Sequence, residues 1–511
     1  MKGNSAAGHP GASLTVDPAF AIGEVNPRMF GSFAEHLGRC VHSGIFEPDH
    51  PAADADGLRT DVLRLIDELG VTMVRYPGGN FVSGYRWEDG VGPAEARPRR
   101  LDLAWRSIET NQFGVGEFMR FARAAGVEPM LAANLGTRGV QEACDLLEYC
   151  NHPGGTALSD LRHSHGAPSP YGIRLWCLGN ELDGPWQIGH KTAGEYGRLA
   201  AETARAMRMI DPDLRLVACG SSGSAMPTFA SWEAEVLEHA YDLVDYVSCH
   251  AYYEELDGDA DSFLASAVDM ECFIDNVVAT CDYVRARRGA TKRIELSFDE
   301  WNVWYRTRFH QSGPPDWEVA PRLLEDVYSV TDAVVVGSLL IALLRHCDRV
   351  TAACQAQLVN VIAPIMTEPG GPAWRQTTFY PFADTARHGR GRVLRIEPTS
   401  SRQETAAYGD VPLLHATAVQ GEDGTTTLFA VNRDTARPLR LDADLRALGG
   451  CRLLEHRVLA DTDRHARNTL SHPDRVRPHQ LDGSAVVDDQ LHAELPPLSW
   501  NVLRVAVESP R

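Results

Sequence analysis

The sequence is poor in several things, and each shortage excludes something. No stretch reaches the ~20 consecutive apolar residues that a bilayer-spanning helix needs. The longest apolar run, Ala333 to Leu344, is interrupted by Gly337 and Ser338 and reads as a buried helix. The opening stretch, MKGNSAAGHPGASLTVDPAF, has no apolar core of an export signal. Positive charge is scarce: Lys+Arg is 49 against 69 Asp+Glu, a net charge of −20. Such a surface repels phosphate backbones and anionic lipid, so no nucleic acid and no membrane is expected as a partner. The 11 cysteines are odd in number and irregular in spacing. Cys177, Cys219 and Cys249 sit inside apolar stretches. Without an export signal they read as reduced core thiols rather than a disulfide framework. The expected location is cytoplasmic.

Chemical signatures are also missing. No Gly-x-Gly-x-x-Gly follows a strand, and there is no phosphate loop. Gly220-Ser221-Ser222-Gly223 lacks the nucleophile-elbow pattern. There is no His-Glu-x-x-His, and His163 with His165 lies in a loop without a nearby carboxylate. A metal site from His36, His250 and Asp299 across a barrel mouth is the weaker reading of those residues. Cys40 and Cys354 have no evident basic partner and read as packing thiols. No metal or organic cofactor is expected.

What remains is the composition of an ordinary globular protein, with 44% hydrophobic and 23% charged residues. A length of 511 residues allows two to four domains. Between about residues 28 and 355, short apolar runs alternate with amphipathic segments. The runs are MFGSFAE, VTMVRYP, VEPMLAANL, IRLWCLGNE, LRLVACG, DYVSCHAYY, RIELSFDEW and VTAACQ. Near-continuous Val, Ile and Leu is how strands buried on both faces of a parallel sheet read. GLRTDVLRLIDELG places Val62, Leu65, Ile66 and Leu69 on one helical stripe. The segments from Ala193 and from Asp261 to Arg288 behave alike. An open doubly wound sheet shares this local pattern, but eight units in one run favour a closed (β/α)₈ TIM barrel. After about residue 385 the runs GRVLRI, LLHATAVQ, TTTLFAVNR and NVLRVAV alternate apolar with polar residues. They predict an antiparallel β-sandwich, jelly-roll-like. The expected domains are a catalytic barrel over 20–384 and a sandwich over 385–511. ASLTVDP, within 1–19, is a candidate extra strand of the sandwich.

Catalytic groups of a (β/α)₈ barrel sit at the C-terminal ends of its strands. Those ends carry Glu35-His36, Arg75 with Asn80 beyond it, Asn134, Asn180-Glu181, His250 with Tyr252, Asp299-Glu300-Trp301, and Gln355 with Gln357. Amides, carboxylates and an arginine suit a neutral polyhydroxylated ligand. Trp105, Trp186, Trp301 and Trp304 lie near strand ends and could offer flat apolar faces to a sugar. Glu181 ends strand four and Glu300 ends strand seven, so they can oppose each other across the mouth. Opposed carboxylates, one protonated and one ionised, are the minimum machinery of glycoside hydrolysis.

At these residues the sequence resembles the retaining α-L-arabinofuranosidases, a family of (β/α)₈ glycoside hydrolases with catalytic glutamates on strands four and seven. The matching stretches are GSFAEHLGRCVHSGIFEP, VTMVRYPGGNFVSGYRWEDGVGP, LDLAWRSIETNQFG, WCLGNELDGPWQIGHKTAGEYGRLA, LSFDEWNVWYR and AQLVNVIAPIMTE. The resemblance implies that Glu181 is the general acid/base and Glu300 the nucleophile. It implies that Asn180 bonds the sugar hydroxyl beside the anomeric carbon, and that Glu35, Arg75 and Asn80 bind or support the furanose. Tyr252 would orient the nucleophile, Gln357 would contact the sugar, and Trp105 and Trp304 would line the pocket. The implied activity is exo-acting release of terminal α-L-arabinofuranosyl residues from arabinose-containing oligosaccharides by double displacement. The implied assembly is a homo-oligomer, often a hexamer. The segment His42-Ser43-Gly44-Ile45 and the insert Ser159 to Ser169 depart from the family pattern and bear on which sugar is accepted. A β-D-galactofuranosidase or β-xylosidase on the same scaffold is the alternative, since excluding one carbon group is worth only ~1–3 kcal/mol. A carbohydrate-binding protein without activity would have been favoured by loss of either glutamate.

Overall fold

The computed structural model describes residues 11–313 and 315–507. The reading of an export signal rests partly on residues 1–10, which lie outside the described residues. Eight parallel strands close into a barrel: Gly31–Phe33, Met73–Tyr76, Glu128–Ala133, Leu175–Leu178, Arg215–Ala218, Tyr246–Tyr253, Glu295–Val303 and Val350–Ala356. Each coincides with one of the eight apolar runs. The last pairs with the first through Cys354–Gly31, Gln355–Ser32 and Ala356–Phe33, which closes the ring. The open-sheet alternative is therefore excluded.

The helices follow from their stripes. In Thr60–Leu69 the four stripe residues Val62, Leu65, Ile66 and Leu69 are buried. The segment after Asp261 forms two helices, Ala260–Leu264 and Ala267–Arg288.

The apolar run forms the helix Val330–Arg345, buried from Val330 to Leu344. It starts at Ser329, whose hydroxyl and backbone N–H both donate to Asp332, at 2.8 and 2.6 Å. That arrangement satisfies N-terminal groups otherwise left without partners. The helix is apolar all round because it lies between barrel and sandwich. The two residues that interrupt the run face the sandwich. A Cβ on Gly337 would stand 2.4 Å from the Trp500 ring, and Ser338 Oγ lies 2.7 Å from His415 Nδ1. No helix among the described residues is long and apolar enough to cross a membrane. Cys40, Cys177, Cys219, Cys249 and Cys354 are buried.

The C-terminal part is two packed sheets, with Leu394, Leu414, Ala416, Leu428, Leu441 and Leu503 among the residues between them. Most pairings are antiparallel. The strand Gly11–Thr15 instead runs parallel to Leu439–Asp444, from Gly11–Arg440 to Thr15–Asp444. Ala21–Glu24, inside the range expected for the barrel, pairs with Arg392–Leu394 in the other sheet.

Candidate active site

The C-terminal ends of the barrel strands converge on one buried guanidinium. Arg75, ending strand two, donates from Nη1 to Glu300 Oε1 and from Nη2 to Asn180 Oδ1, both at 2.6 Å. Its Nε lies 3.8 Å from Asp299 Oδ2, and its plane covers the Phe33 ring at 4.9 Å. Burial opposes the charge, but Asp299 and Glu300 overcome that and hold Arg75 firmly cationic.

Strand seven is irregular where the chemistry sits. Its pairing slips between Phe298 and Trp301 on one side, and the neighbouring strand slips between Ser248 and His250. A regular strand sends consecutive side chains to opposite faces. Bulges re-aim them. Here both Asp299 and Glu300 reach His250: Asp299 Oδ1 lies 3.0 Å from Nε2, and Glu300 Oε2 lies 3.6 Å from Nδ1. The same slip turns Trp301 fully into the core. Trp301 is thus removed from the aromatic rings offered to a ligand.

Glu181 faces this group from strand four. Its Oε1 lies 2.8 Å from His250 Nδ1, and its Oε2 accepts from Trp186 Nε1 at 2.8 Å. Its φ is +45°, a left-handed conformation that non-glycine residues adopt at a cost of order 1–3 kcal/mol, typically at functional positions. Donor atoms of Glu181, His250 and Glu300 lie within 4.8 Å of one another. Burial, reinforced by the charge of Glu300, raises the Glu181 carboxyl above the usual range against hydrogen bonds from His250 and Trp186. Burial disfavours charge on His250 too. There the Glu300 charge and the bonds to Asp299 and Glu181 win, and its pKa is raised to about 10. Asp299 resists burial through Arg75 and His250 and is held below the usual range.

The second nucleus is Glu35. Its Oε1 accepts from Phe81 N–H at 2.9 Å and Trp105 Nε1 at 2.8 Å, and its Oε2 accepts from Gln357 Nε2 at 3.0 Å. Burial pushes its pKa up to about 8 against the pull of Phe81 and Trp105. Gly79 joins the two nuclei. A Cβ there would stand 3.1 Å from Glu300 Oε1 and 3.2 Å from Glu35 Oε2, so only glycine leaves both carboxylates undisturbed. Tyr252 donates to Glu300 Oε2 at 2.8 Å; Trp304 meets the Tyr252 ring edge-on at 5.1 Å. Asn80 Oδ1 accepts from Asn180 Nδ2 at 3.4 Å.

The ten residues singled out in the sequence therefore meet in one linked cluster. A groove of about 500 Å³ opens beside it, lined by Ser222, His250, Tyr252, Leu256 and, from the sandwich, Tyr408. His36 stands apart from His250: its Nδ1 lies 2.8 Å from Glu109 and its Nε2 2.7 Å from the Tyr76 hydroxyl. The grouping of His36, His250 and Asp299 does not exist. The insert forms the helix Ala157–Ser164, held by Arg162 on the carbonyls of Tyr149, His152 and Ala167. It leads into strand four at the end opposite Glu181.

Residues 65–270 match the alpha-L-arabinofuranosidase 1 domain, and residues 299–499 match the alpha-L-arabinofuranosidase C-terminal domain. The chain is 66% identical over 502 residues to an intracellular exo-α-(1→5)-L-arabinofuranosidase of Streptomyces lividans, covering 98% of this chain and 76% of that one. The chain belongs to the α-L-arabinofuranosidase family. An exo-α-(1→6)-L-arabinofuranosidase of Bifidobacterium longum is 54% identical over 504 residues, 96% of this chain and 97% of that one. A solved family 51 α-L-arabinofuranosidase from the same genus and species superposes with a TM-score of 0.94 at 48% identity, covering 97% of this chain and all of that one.

Within this family member, His250, Asp299 and Trp186 are the site residues that sequence reasoning did not assign. His250 stood at a strand end and Asp299 beside Glu300, but their pairing depends on the slipped register. Trp186 is half exposed and returns to Glu181 through a tight turn, where a Cβ on Gly184 would lie 2.5 Å from its ring.

Proposed function

We propose that this protein is a retaining exo-α-L-arabinofuranosidase acting on arabinose-containing oligosaccharides. The close approach of Glu181 to Glu300 carries the reading. Donor atoms within 4.8 Å fit the ~5–5.5 Å carboxyl spacing of retaining enzymes and leave no room for the water that inverting enzymes hold at ~6.5–9.5 Å. Relatives named for exo-α-(1→5) and exo-α-(1→6) activity support the substrate class. Those named intracellular support an intracellular location. A homo-oligomeric state joins the proposal from the family resemblance; Leu101 and Leu103 stand exposed on one hairpin and offer apolar surface to a subunit contact.

In this mechanism Glu300, ionised and oriented by Arg75 and Tyr252, attacks the anomeric carbon. Glu181, protonated, donates its proton to the leaving oxygen. The glycosyl-enzyme neutralises Glu300. Glu181 then loses a neighbouring negative charge, its pKa falls, and it takes a proton from the attacking water. Asn180 and Glu35 bond sugar hydroxyls. Gln357 Oε1 and Trp304 Nε1, buried without partners, are a ready acceptor and donor for the substrate.

The test is a panel of aryl glycosides. The α-L-arabinofuranoside is expected to be cleaved with the highest kcat/KM, ahead of the β-D-galactofuranoside and β-D-xylopyranoside. Preference for the galactofuranoside would keep the mechanism and move the substrate. Cleavage of none would sink the reading.

His250 supplies a pH prediction. The ring, cationic up to about pH 10, stabilises the ionised form of Glu181, to which it is bonded. In His250→Gln that stabilisation is lost, and the Glu181 carboxyl rises further. The basic limb of the kcat/KM profile, set by Glu181, should move to higher pH. An unmoved profile, or one moved to lower pH, would remove this role for His250.

A further inference from the structure

A second cluster lies behind Glu35 and takes no part in the mechanism above. His36 follows Glu35 directly, and its side chain is fully buried. Its Nδ1 lies 2.8 Å from Glu109 Oε2. His42 Nε2 lies 3.2 Å from Glu109 Oε1. One donor atom from each of the three lies within 4.8 Å of the others. Thr110 Oγ1 stands 3.5 Å from His42 Nε2. His42 keeps 18% of its side chain exposed, against 7% for Glu109, so it is the side open to solvent.

The hydrogen bonds around His36 admit two positions of its proton. The Tyr76 hydroxyl lies 2.7 Å from His36 Nε2 and 3.4 Å from the Phe113 carbonyl; it can donate to either, and when it donates to the carbonyl its oxygen accepts from His36 Nε2–H. With the proton on Nε2, a neutral ring points the bare lone pair of Nδ1 at a carboxylate. In that tautomer two lone pairs face each other at 2.8 Å, a place where a metal cation fits between them. A ligating imidazole normally has this arrangement, its other N–H bonded outward to fix the ring.

We propose that His36 Nδ1, His42 Nε2 and Glu109 bind a divalent transition-metal cation of the Zn(II) class, with water completing the shell. Two imidazole nitrogens and one carboxylate are a common Zn(II) donor set, whereas Mg²⁺ and Ca²⁺ select oxygen. Metal–ligand bonds of ~2.0–2.1 Å in a tetrahedron set donors about 3.3 Å apart. His36 Nδ1 stands 2.8 Å from Glu109 Oε2 and His42 Nε2 3.2 Å from Oε1, close to that spacing though on different carboxylate oxygens, and the partly exposed His42 supplies the remaining movement.

The cation would staple two segments that also build the sugar site. Glu35 and His36 share one; Trp105 and Glu109 share the hairpin of Arg100–Asp102 and Ser107–Glu109. Trp105 Nε1 bonds Glu35 at 2.8 Å on one side of this junction, and the metal would tie His36 to Glu109 on the other.

The experiment uses the full chain, stripped by chelator and dialysed against micromolar Zn(II) or Co(II). Metal per chain, Co(II) visible absorption and Tm are read for wild type, His42→Gln and Glu300→Ala. Wild type and Glu300→Ala should each take up one cation with tetrahedral Co(II) bands and a Tm raised by at least about 2 °C. His42→Gln should bind at least about 100-fold more weakly, since losing a ligand exceeds the 10–100-fold cost of losing an outer partner. No uptake by wild type would overturn the proposal. So would equal uptake by His42→Gln. Uptake lost in Glu300→Ala would also overturn it, by moving the cation to the cluster of Glu181, His250 and Glu300.

Discussion

Glu300→Ala should lower kcat on an aryl α-L-arabinofuranoside by at least about 10⁴-fold, a loss of about 5.5 kcal/mol of transition-state stabilisation. The variant has no carboxylate left to attack the anomeric carbon, and neutral water in the vacated space is a far weaker nucleophile with no base placed to take its proton. Folding should survive. Arg75 loses one acceptor but keeps Asn180 Oδ1 at 2.6 Å and the Asp299 carboxylate at 3.8 Å. The space left by the carboxylate admits azide. Azide should restore turnover and yield the glycosyl azide of inverted configuration, readable by NMR. Wild type should release sugar with its configuration retained. Residual activity above about 1% of wild type, or no azide adduct, would remove Glu300 from the nucleophile's role.

Glu181→Ala should show a loss graded by the leaving group. General acid catalysis contributes typically 10²–10⁴-fold, and only a poor leaving group needs all of it. Arabinose-linked oligosaccharides should therefore lose about 10³-fold or more in kcat/KM. A dinitrophenyl glycoside, which departs unaided, should lose little in kcat/KM. Its kcat should fall, because no base remains to activate water on the glycosyl-enzyme. The basic limb of the pH profile should vanish, since burial and Glu300 raise Glu181 and that group sets the limb. Azide should now give the product of retained configuration. Equal losses on good and poor leaving groups would show that Glu181 does not supply the proton.

Most of the fold was legible because parallel barrel strands, buried on both faces, are written as near-continuous apolar runs. All eight were found from apolar runs, although MFGSFAE has no Val, Ile or Leu and DYVSCHAYY and VTAACQ have one each. Ala21–Glu24 was not, since a partly exposed four-residue strand carries no such signature. The two carboxylates were legible from strand ends alone. What escaped depends on register. His250 pairs with Glu181, Asp299 and Glu300 only because strand seven slips, and the same slip buries Trp301. Period-two reasoning has no access to a bulge. Trp186 reaches Glu181 through a turn that Gly184 permits, and His36 meets Glu109 across 73 positions. Contacts of that range are set by the closed ring rather than by neighbours in the chain.

The parallel pairing of Gly11–Thr15 with Leu439–Asp444 has a consequence for the order in which the protein is built. A ribosome emits the chain from its N-terminus, and domains fold as they emerge. The barrel needs nothing beyond Ala356 to close its ring, so it can form while the sandwich is still being made. The strand Gly11–Thr15 cannot pair until its antiparallel partner Thr399–Ser400 has left the exit tunnel, and its parallel partner is complete only at residue 444. Throughout that interval it remains an unpaired edge with open N–H and C=O groups, the kind of surface that captures other chains. Only five residues long and with alternate residues facing water, it is a short edge to leave waiting. A nascent chain stopped at the end of the barrel would thus carry that edge uncovered.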